Sequence, residues 1–396
     1  MRHINFNNAR VLVRVDFNVP LNENLEVTDT TRIEKAIPTL QYMLDQGASL
    51  IVCTHLGRPK PGADNAKYST KHIVSTFAQL LGRDVKFVDD VIGDKVQAAA
   101  NALQQGEVLL LENTRFYKEE TDGDPAFSEA LASLATVYVN DAFGTAHRAH
   151  ASTTTVANYF DKNHKGFGFL MEAEVKNGQK VLKEAEKPFT AIVGGAKVSD
   201  KIQLLENLLD KADNIIIGGG MAYTFFKAQG GNIGKSLCES EFLNLANEIL
   251  VKAKEKGCNI FLPSDSMAAD SFAAEAEHKV TPSNDIPEGW MGLDIGPDAI
   301  STFKSVIAAS KTIVWNGPMG VFEFDNFATG TLAIAHAVAD ATSNGAFSLI
   351  GGGDSVSAIN KAGLEDAVSY VSTGGGAMLE MLEGKVLPGV AAIEDH

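Results

Sequence analysis

Short runs of β-branched and aliphatic residues alternate with amphipathic helical stretches along almost the whole chain, and that rhythm restricts the fold more than any other feature. A strand covered on one face alternates apolar and polar residues, whereas a strand covered on both faces reads as a continuous apolar run. Val11–Val15, Leu50–Thr54, Val108–Leu111 and Thr136–Val139 are runs of the second kind. So are Thr190–Val193, Asn214–Ile217, Asn259–Leu262, Thr312–Trp315, Phe347–Ile350 and Val368–Val371. Between them lie Thr31–Gln46, Ser199–Asp210, Glu239–Lys256 and Asn326–Ala341, each with helical periodicity. This alternation specifies parallel sheets with helices on both faces, and 396 residues exceed what one core usually supports. The expectation is an α/β protein of two doubly wound, Rossmann-like domains. Gly166–Lys187 separates the two series, and the periodicity of Met171–Glu186, with Pro188 just beyond, predicts a connecting helix.

Charge and cysteine usage remove several classes of function. A net charge of −16 argues against a nucleic-acid or membrane-surface partner, because both require a basic face. No apolar stretch approaches the ~18 residues needed to span a bilayer, and the N-terminus lacks a signal-peptide apolar core. Cys53, Cys238 and Cys258 are odd in number, form no CxxC pair and sit in or beside apolar runs. They read as reduced core thiols, and the expected location is the cytoplasm.

In open parallel sheets ligands sit beyond the carboxyl ends of the strands. Those positions are polar and basic in the first half: Asp16-Phe17-Asn18-Val19-Pro20, His55-Leu56-Gly57-Arg58-Pro59, Glu112-Asn113-Thr114-Arg115-Phe116, and Asn140-Asp141 followed by His147-Arg148-Ala149-His150. Every arginine of the chain lies at or before position 148, although lysines continue to the end. The guanidinium fork matches carboxylate and phosphate oxygens two at a time, as an ammonium cannot. Arg32, Arg58, Arg115 and Arg148 are thus candidates to hold a small phosphorylated acid. Arg14 lies inside a strand run and reads as structural, while Arg2, Arg10 and Arg83 sit in ordinary polar surroundings. Asp16, Asn18 and Asn113 suit either ligand hydroxyls or turn and cap chemistry. His55, His147 and His150 read as anion contacts or packing groups rather than as acids or bases.

The strand ends of the second half carry glycine and lysine. Gly194-Gly195-Ala196-Lys197-Val198-Ser199-Asp200-Lys201 follows a strand and opens a helix, an arrangement that aims backbone amides and two lysines at an anion. Gly218-Gly219-Gly220, Asn316-Gly317-Pro318-Met319-Gly320, Gly351-Gly352-Gly353-Asp354-Ser355 and Gly374-Gly375-Gly376 follow four further strands, where glycine lets backbone approach a ligand. Asp354 suits either Mg²⁺ bridged to phosphate or a plain N-cap, and Glu323 either ribose hydroxyls or a cap. Gly230–Ser236 has the wrong spacing for a P-loop and reads as a surface loop. No GxGxxG follows the first strand, which counts against a nicotinamide-dependent dehydrogenase.

Taken together, Arg14-Val15-Asp16-Phe17-Asn18-Val19-Pro20, His55-Leu56-Gly57-Arg58-Pro59, Gly194–Lys201, Trp315-Asn316-Gly317-Pro318 and Gly351–Ser355 resemble the phosphoglycerate kinase family, in order along the chain. The resemblance implies two such domains joined by a helix with a deep cleft between them: residues 1–168, a connecting helix 169–187, residues 188–384, and a C-terminal segment 385–396 that returns to the first domain. It implies reversible phosphoryl transfer between 1,3-bisphosphoglycerate and MgADP, giving 3-phosphoglycerate and MgATP, by a monomer whose hinge closes. Asp16, Phe17, Asn18, Arg32, His55, Leu56, Gly57, Arg58, Arg115 and Arg148 would bind the phosphoglycerate. Lys197 and Arg32 would be catalytic. Lys201, Gly292, Asn316, Pro318, Glu323, Gly352, Gly353, Asp354 and Ser355 would line the nucleotide site, with Asp354 on Mg²⁺. A non-catalytic nucleotide-binding protein of the same fold is the alternative.

Overall fold

The computed structural model describes residues 1–60 and 65–394. The chain divides into two compact units, Met1–Lys176 together with the residues from Val386 onward, and Asn177–Lys385.

The first unit is built on a six-stranded sheet of β1 (Arg10–Val15), β2 (Ser49–Cys53), β3 (Val85–Val88), β4 (Val108–Leu111), β5 (Val137–Asp141) and β6 (Lys165–Phe167), in the order β3-β4-β2-β1-β5-β6. All its pairings are parallel. Side chains of a strand alternate between the faces, so β1 feeds two cores at once. Val11, Val13 and Val15 pack with Leu40, Met43 and Phe77, and Leu12 packs on the other side with Leu109, Tyr138 and Phe160. The edge strands β3 and β6 are additions to the expected set. Val85–Val88 is only partly covered, with Lys86 paired outward to Glu107 at 2.6 Å, and β6 has three residues. Neither forms an apolar run. From β1 the chain proceeds to one side and then crosses to β5 on the other, which makes the β1/β5 boundary the topological switch point. The C-terminal segment joins this unit, with the Gly389 amide donating to Ala146 O at 2.8 Å; its last two residues lie outside the described part.

The second unit has β7 (Phe189–Val193), β8 (Asn214–Ile217), β9 (Asn232–Ile233), β10 (Asn259–Phe261), β11 (Asp265–Ala269), β12 (His278–Pro282), β13 (Asp285–Ile286), β14 (Met291–Ile295), β15 (Thr312–Asn316), β16 (Phe347–Ile350) and β17 (Tyr370–Val371). Its main sheet runs β10-β8-β7-β15-β16-β17, all parallel, with the switch point between β7 and β15. Trp315 is fully buried in its core beside Ile192, Phe303, Ile334 and Ile350. An excursion between β10 and β15 differs from expectation: β12-β11-β14 form a small antiparallel sheet, and β13 pairs with β9. The expected helix 199–210 divides into a 3-10 turn, Ser199–Lys201, and a helix, Ile202–Leu209, and the expected helix 326–341 runs Thr329–Ser343.

The helix Phe169–Lys183 contains the boundary between the units within its length. Its entrance is organised around Asp141, the fully buried last residue of β5. Asp141 Oδ1 accepts from the Met171 amide at 3.1 Å, while Thr39 Oγ1, from the helix Thr31–Asp45, accepts from the Phe169 amide at 2.9 Å. Gly168 passes so close that a Cβ there would overlap the carboxyl, and Asp141 Oδ2 has no partner. Burial pushes the carboxyl up to about 6, against the hydrogen bonds from Thr39, Met171 and Leu170. A folded value above the unfolded one means that this stabilisation is complete below the unfolded value of about 4 and is lost as pH rises through the folded one. Asp141→Asn, neutral at every pH, is expected to stabilise the protein near pH 8, by on the order of 2–3 kcal/mol, and to change little near pH 4. Thermal melts at the two pH values check this; a variant whose melting temperature tracks that of the wild type at both would contradict it.

Candidate functional site

The polar strand ends of the first unit interlock through their backbones. Arg32 Nη1 donates to Asp16 Oδ2 at 2.5 Å, and Asn18 Oδ1 accepts from the Gly57 amide at 2.8 Å. Gly57 has φ +61°, and a Cβ there would overlap the Tyr68 ring, so the turn requires glycine. Arg115 Nη1 donates to Gly57 O at 3.1 Å. Asn113 Nδ2 donates to Leu56 O at 2.7 Å and to Tyr68 O at 2.9 Å, and its Oδ1 accepts from the Arg115 amide at 3.0 Å. Asn18 and Asn113 therefore do perform turn and cap chemistry. Phe17 and Leu56 offer only backbone at this end, since both side chains are buried, Phe17 edge-on to Phe77 at 4.9 Å.

Charge in this unit is unbalanced. Burial, then the neighbouring Arg14 and Arg148, hold the Arg115 guanidinium down to about 10, and its Nε has no hydrogen-bond partner. Burial, then Arg115 and Arg14, hold His150 down to about 4, and its buried Nδ1 is likewise unpartnered. His55 is pushed well below the usual histidine range by burial first and then by Arg14, Arg115, Arg32 and His150. Crowded cations with orphaned donors raise one another's energy until an anion neutralises them. Arg32 and Arg148 are exposed and ready to add forks. Arg58 is exposed too, and no contact ties its guanidinium to the others among the described residues. His55 and His150, held below the usual histidine range, lack the imidazolium that would serve as a general acid at physiological pH.

In the second unit the switch point is a knot of glycine backbone. A Cβ on Gly194 would overlap Pro318 O, and one on Gly317, whose φ is +104°, would overlap Gly194 O. Beside it, Lys201 Nζ donates to Asn316 Oδ1, Asn316 Nδ2 donates to Gly351 O at 3.1 Å, and the Gly317 amide donates to Ser355 Oγ at 2.6 Å. Lys201, Asn316, Gly352, Gly353, Asp354 and Ser355 line a hollow of 230 Å³ there, at the start of the helix Gly353–Lys361. Free amides at a helix start and a partly buried ammonium are suited to phosphate oxygens. Burial lowers the Lys201 pKa, while Asp200, Asp354 and Glu383 pull it back.

A larger cavity of 680 Å³ shares Asp354 with this hollow. Gly195, Gly219 and Pro318 lie against it, Tyr223, Leu237, Phe272, Met291 and Phe324 give it apolar walls, and Gly292 and Glu323 add polar positions. Tyr223 is fixed by donating to Ser266 Oγ at 2.8 Å, and Ser236 Oγ accepts from the Gly292 amide at 2.9 Å. An apolar slot opening beside a small cationic hollow fits a nucleoside followed by its phosphates. Asp294 also lines the slot; burial pushes its carboxyl up to about 7 against hydrogen bonds from the Gly330 and Ile295 amides.

Several sequence expectations need correction or extension. The Ser199 amide is not open to an anion, because it donates to Glu239 Oε2 at 3.0 Å while Ser199 Oγ donates to Glu239 Oε1 at 2.5 Å. The segment Gly230–Ser236 is more than a surface loop: it contributes β9, and Lys235 reaches the cavity. The apolar wall went unread because its residues are scattered over the helix Met221–Ala228, the antiparallel excursion and the loops carrying Leu237 and Phe324, with no common spacing to mark them. Asp354 is a single exposed carboxylate, and no group of three or more His, Cys, Asp or Glu residues suited to a metal occurs among the described residues. That donor set fits a metal held jointly with phosphate oxygens rather than by the protein alone. Among the same residues no helix is long and apolar enough to cross a membrane, and all three cysteines are free.

The chain matches the phosphoglycerate kinase family over residues 1–385. It is 52% identical to a phosphoglycerate kinase of Porphyromonas gingivalis, covering 100% of this chain and 99% of that one, and 52% identical to a cytosolic phosphoglycerate kinase of Nicotiana tabacum, covering 100% and 98%. The solved phosphoglycerate kinase of Coxiella burnetii superposes with a TM-score of 0.92 at 41% identity, over 100% of this chain and 98% of that one. The chain belongs to the phosphoglycerate kinase family. It is an enzyme that reversibly transfers a phosphoryl group between 1,3-bisphosphoglycerate and ADP, giving 3-phosphoglycerate and ATP. Nothing favours the non-catalytic alternative.

Proposed function

We propose a division of labour in which the first unit holds the phosphoglycerate and the second holds the nucleotide as its Mg²⁺ complex. The observation that carries it is the contrast between the two: the orphaned Nε donor of Arg115 and the neutral His150 lie in the first, and the nucleoside-sized slot joined to a phosphate-sized hollow lies in the second. Asp16, Asn18, Arg32, His55, Arg58, Arg115 and Arg148, with the backbone of Phe17, Leu56 and Gly57, form the phosphoglycerate site on this reading. Gly292, Pro318 and Glu323 face the nucleoside, and Lys201, Asn316, Gly352, Gly353 and Ser355 the phosphates. Asp354 holds Mg²⁺ together with phosphate oxygens, and the ion neutralises charge on them.

Phosphoryl transfer asks the protein for alignment and charge stabilisation more than for proton chemistry. The neutral histidines agree with that demand. Lys197, exposed on the loop after β7, follows the migrating phosphoryl group, and Arg32 stabilises its charge. In-line transfer requires the two substrates to meet, so the hinge closes, which also keeps water from the acyl phosphate. A cytoplasmic monomer completes the reading.

Arg32 supplies the test for the phosphoglycerate side. Arg32→Lys keeps the charge but loses the fork, and kcat/KM for 3-phosphoglycerate is expected to fall about 10- to 100-fold with the KM for ATP little changed. Near-normal steady-state kinetics would show that charge alone suffices there and would overturn the bidentate role.

A further inference from the structure

Arg14 is the second-largest fully buried side chain among the described residues, and each of its three guanidinium nitrogens has a partner. Nε donates to Ser152 Oγ at 2.8 Å, Nη1 donates to Val15 O, and Nη2 lies 3.1 Å from His55 Nδ1. Behind it, Ser152 Oγ passes its own proton to Glu120 Oε1 at 2.5 Å, and the Ser152 amide donates to Glu120 Oε2 at 2.9 Å. Glu120 and Ser152 are both fully buried. This chain has one direction only. A guanidinium has no acceptor and stays protonated, so in the contact with His55 the ring nitrogen Nδ1 accepts. The ring proton must then sit on Nε2.

We propose that Arg14, anchored by Ser152 and Glu120, is a positioning residue that locks His55 in its Nε2–H tautomer, so that the ring presents a single, neutral hydrogen-bond donor to the phosphoglycerate. The proposal rests on the reading of His55 as a substrate contact. No hydrogen bond engages Nε2 among the described residues, whereas Nδ1 is occupied. Protonating Nδ1 would set an N–H against the Arg14 N–H in a buried ring, with Arg115, Arg32 and His150 facing it from the neighbouring elements and Glu120 the acidic group behind Arg14. A donor that cannot become a second cation or turn round keeps the same contact across the physiological pH range. Arg14 thereby acts on the substrate through another side chain, which accounts for an arginine inside a buried strand.

The experiment is nitrogen-15 NMR of histidine-labelled enzyme, in which His55 is one of nine histidines and is assigned by its loss in His55→Gln. The wild-type ring is expected in the Nε2–H form without titrating from about pH 5 to about pH 8. In Arg14→Met both tautomers should appear and the ring should begin to titrate in that window, with the KM for 3-phosphoglycerate rising about tenfold and kcat less affected. A wild-type Nδ1–H tautomer, a wild-type ring that titrates near its ordinary value, or an unchanged tautomer in Arg14→Met would overturn the proposal. The wild-type spectrum decides by itself if Arg14→Met does not fold. Adding 3-phosphoglycerate to the wild type separates the two layers: a shifted Nε2 supports the substrate contact, and an unmoved one overturns that contact while the tautomer lock stands.

Discussion

Replacing Lys197 by alanine is expected to lower kcat by about two to three orders of magnitude while ADP affinity stays within a few-fold. The side chain is exposed and makes no hydrogen bond or ion pair with the described residues, so its removal should cost the fold little. The loop that carries it is anchored elsewhere. Val198 is fully buried, Ser199 is clamped to Glu239, and the Gly195 amide donates to Pro318 O at 3.2 Å while Gly195 O accepts from the Met221 amide at 3.0 Å. An exposed ammonium on an anchored loop, absent from the lining of the 680 Å³ cavity, has nothing to bind strongly in the ground state. Its contribution would come when charge spreads over the phosphoryl group in flight, which is a transition-state contact. Steady-state rates with saturating substrates, together with calorimetric ADP titration, check both halves. A kcat within a few-fold of the wild type would remove Lys197 from the mechanism, and a matching loss of ADP affinity would make it a ground-state contact instead.

Gly317→Ala should be the most disruptive single substitution in the second unit, costing roughly 3 kcal/mol or more and abolishing nucleotide binding. Its φ of +104° is a conformation that L side chains rarely adopt, and the added Cβ would overlap Gly194 O on the adjoining strand end. Neither neighbour can give way, because both are backbone: Gly194 is itself held by its amide donating to Asn316 O at 2.9 Å. Trp315 Nε1 donates to Gly317 O at 2.8 Å, and the Gly317 amide binds Ser355 Oγ, so a shift at this turn moves the buried indole and the phosphate hollow together. Trp315 is fully buried and reports the change in fluorescence. A thermal melt within a degree or two of the wild type, with normal ADP binding, would show that the switch-point backbone is more yielding than its packing indicates.

The parts of this protein that were readable from sequence share one physical property: a residue pattern forced by burial on two sides. Val11–Val15 and Thr312–Trp315 admit few readings for that reason, and so do the interior strands of the second main sheet. Val85–Val88, with Lys86 turned outward, and the three-residue β6 lie at an edge, where burial imposes no run. The strands Asp265–Ala269 and His278–Pro282 escaped for a related reason, since short polar and small residues suffice on a small sheet outside the core. That sheet includes β14, which lines the apolar slot, so the missed strands and the missed wall residues Met291 and Phe272 are one omission. The polar strand ends are conspicuous in sequence because arginine and glycine cluster there, and the structure links Asp16, Asn18, Arg32, Gly57 and Arg115 by hydrogen bonds. Arg14 shows the limit of position alone: its place inside β1 correctly says that it is buried and structural, but only the geometry shows what it holds. Glu239 is similar, since nothing in its spacing from Ser199 announces a clamp.

The central claim is that the substrates are held by different units, and paired apparent constants test it most directly. In the 3-phosphoglycerate-dependent consumption of MgATP, with a coupling enzyme removing the bisphosphate, Arg148→Gln and Asp354→Asn should separate. Arg148→Gln should raise the KM for 3-phosphoglycerate about tenfold and leave that for MgATP nearly unchanged, and Asp354→Asn should do the reverse. If both variants move the same constant, or if Asp354→Asn raises the phosphoglycerate KM alone, the assignment of one substrate to each unit is wrong.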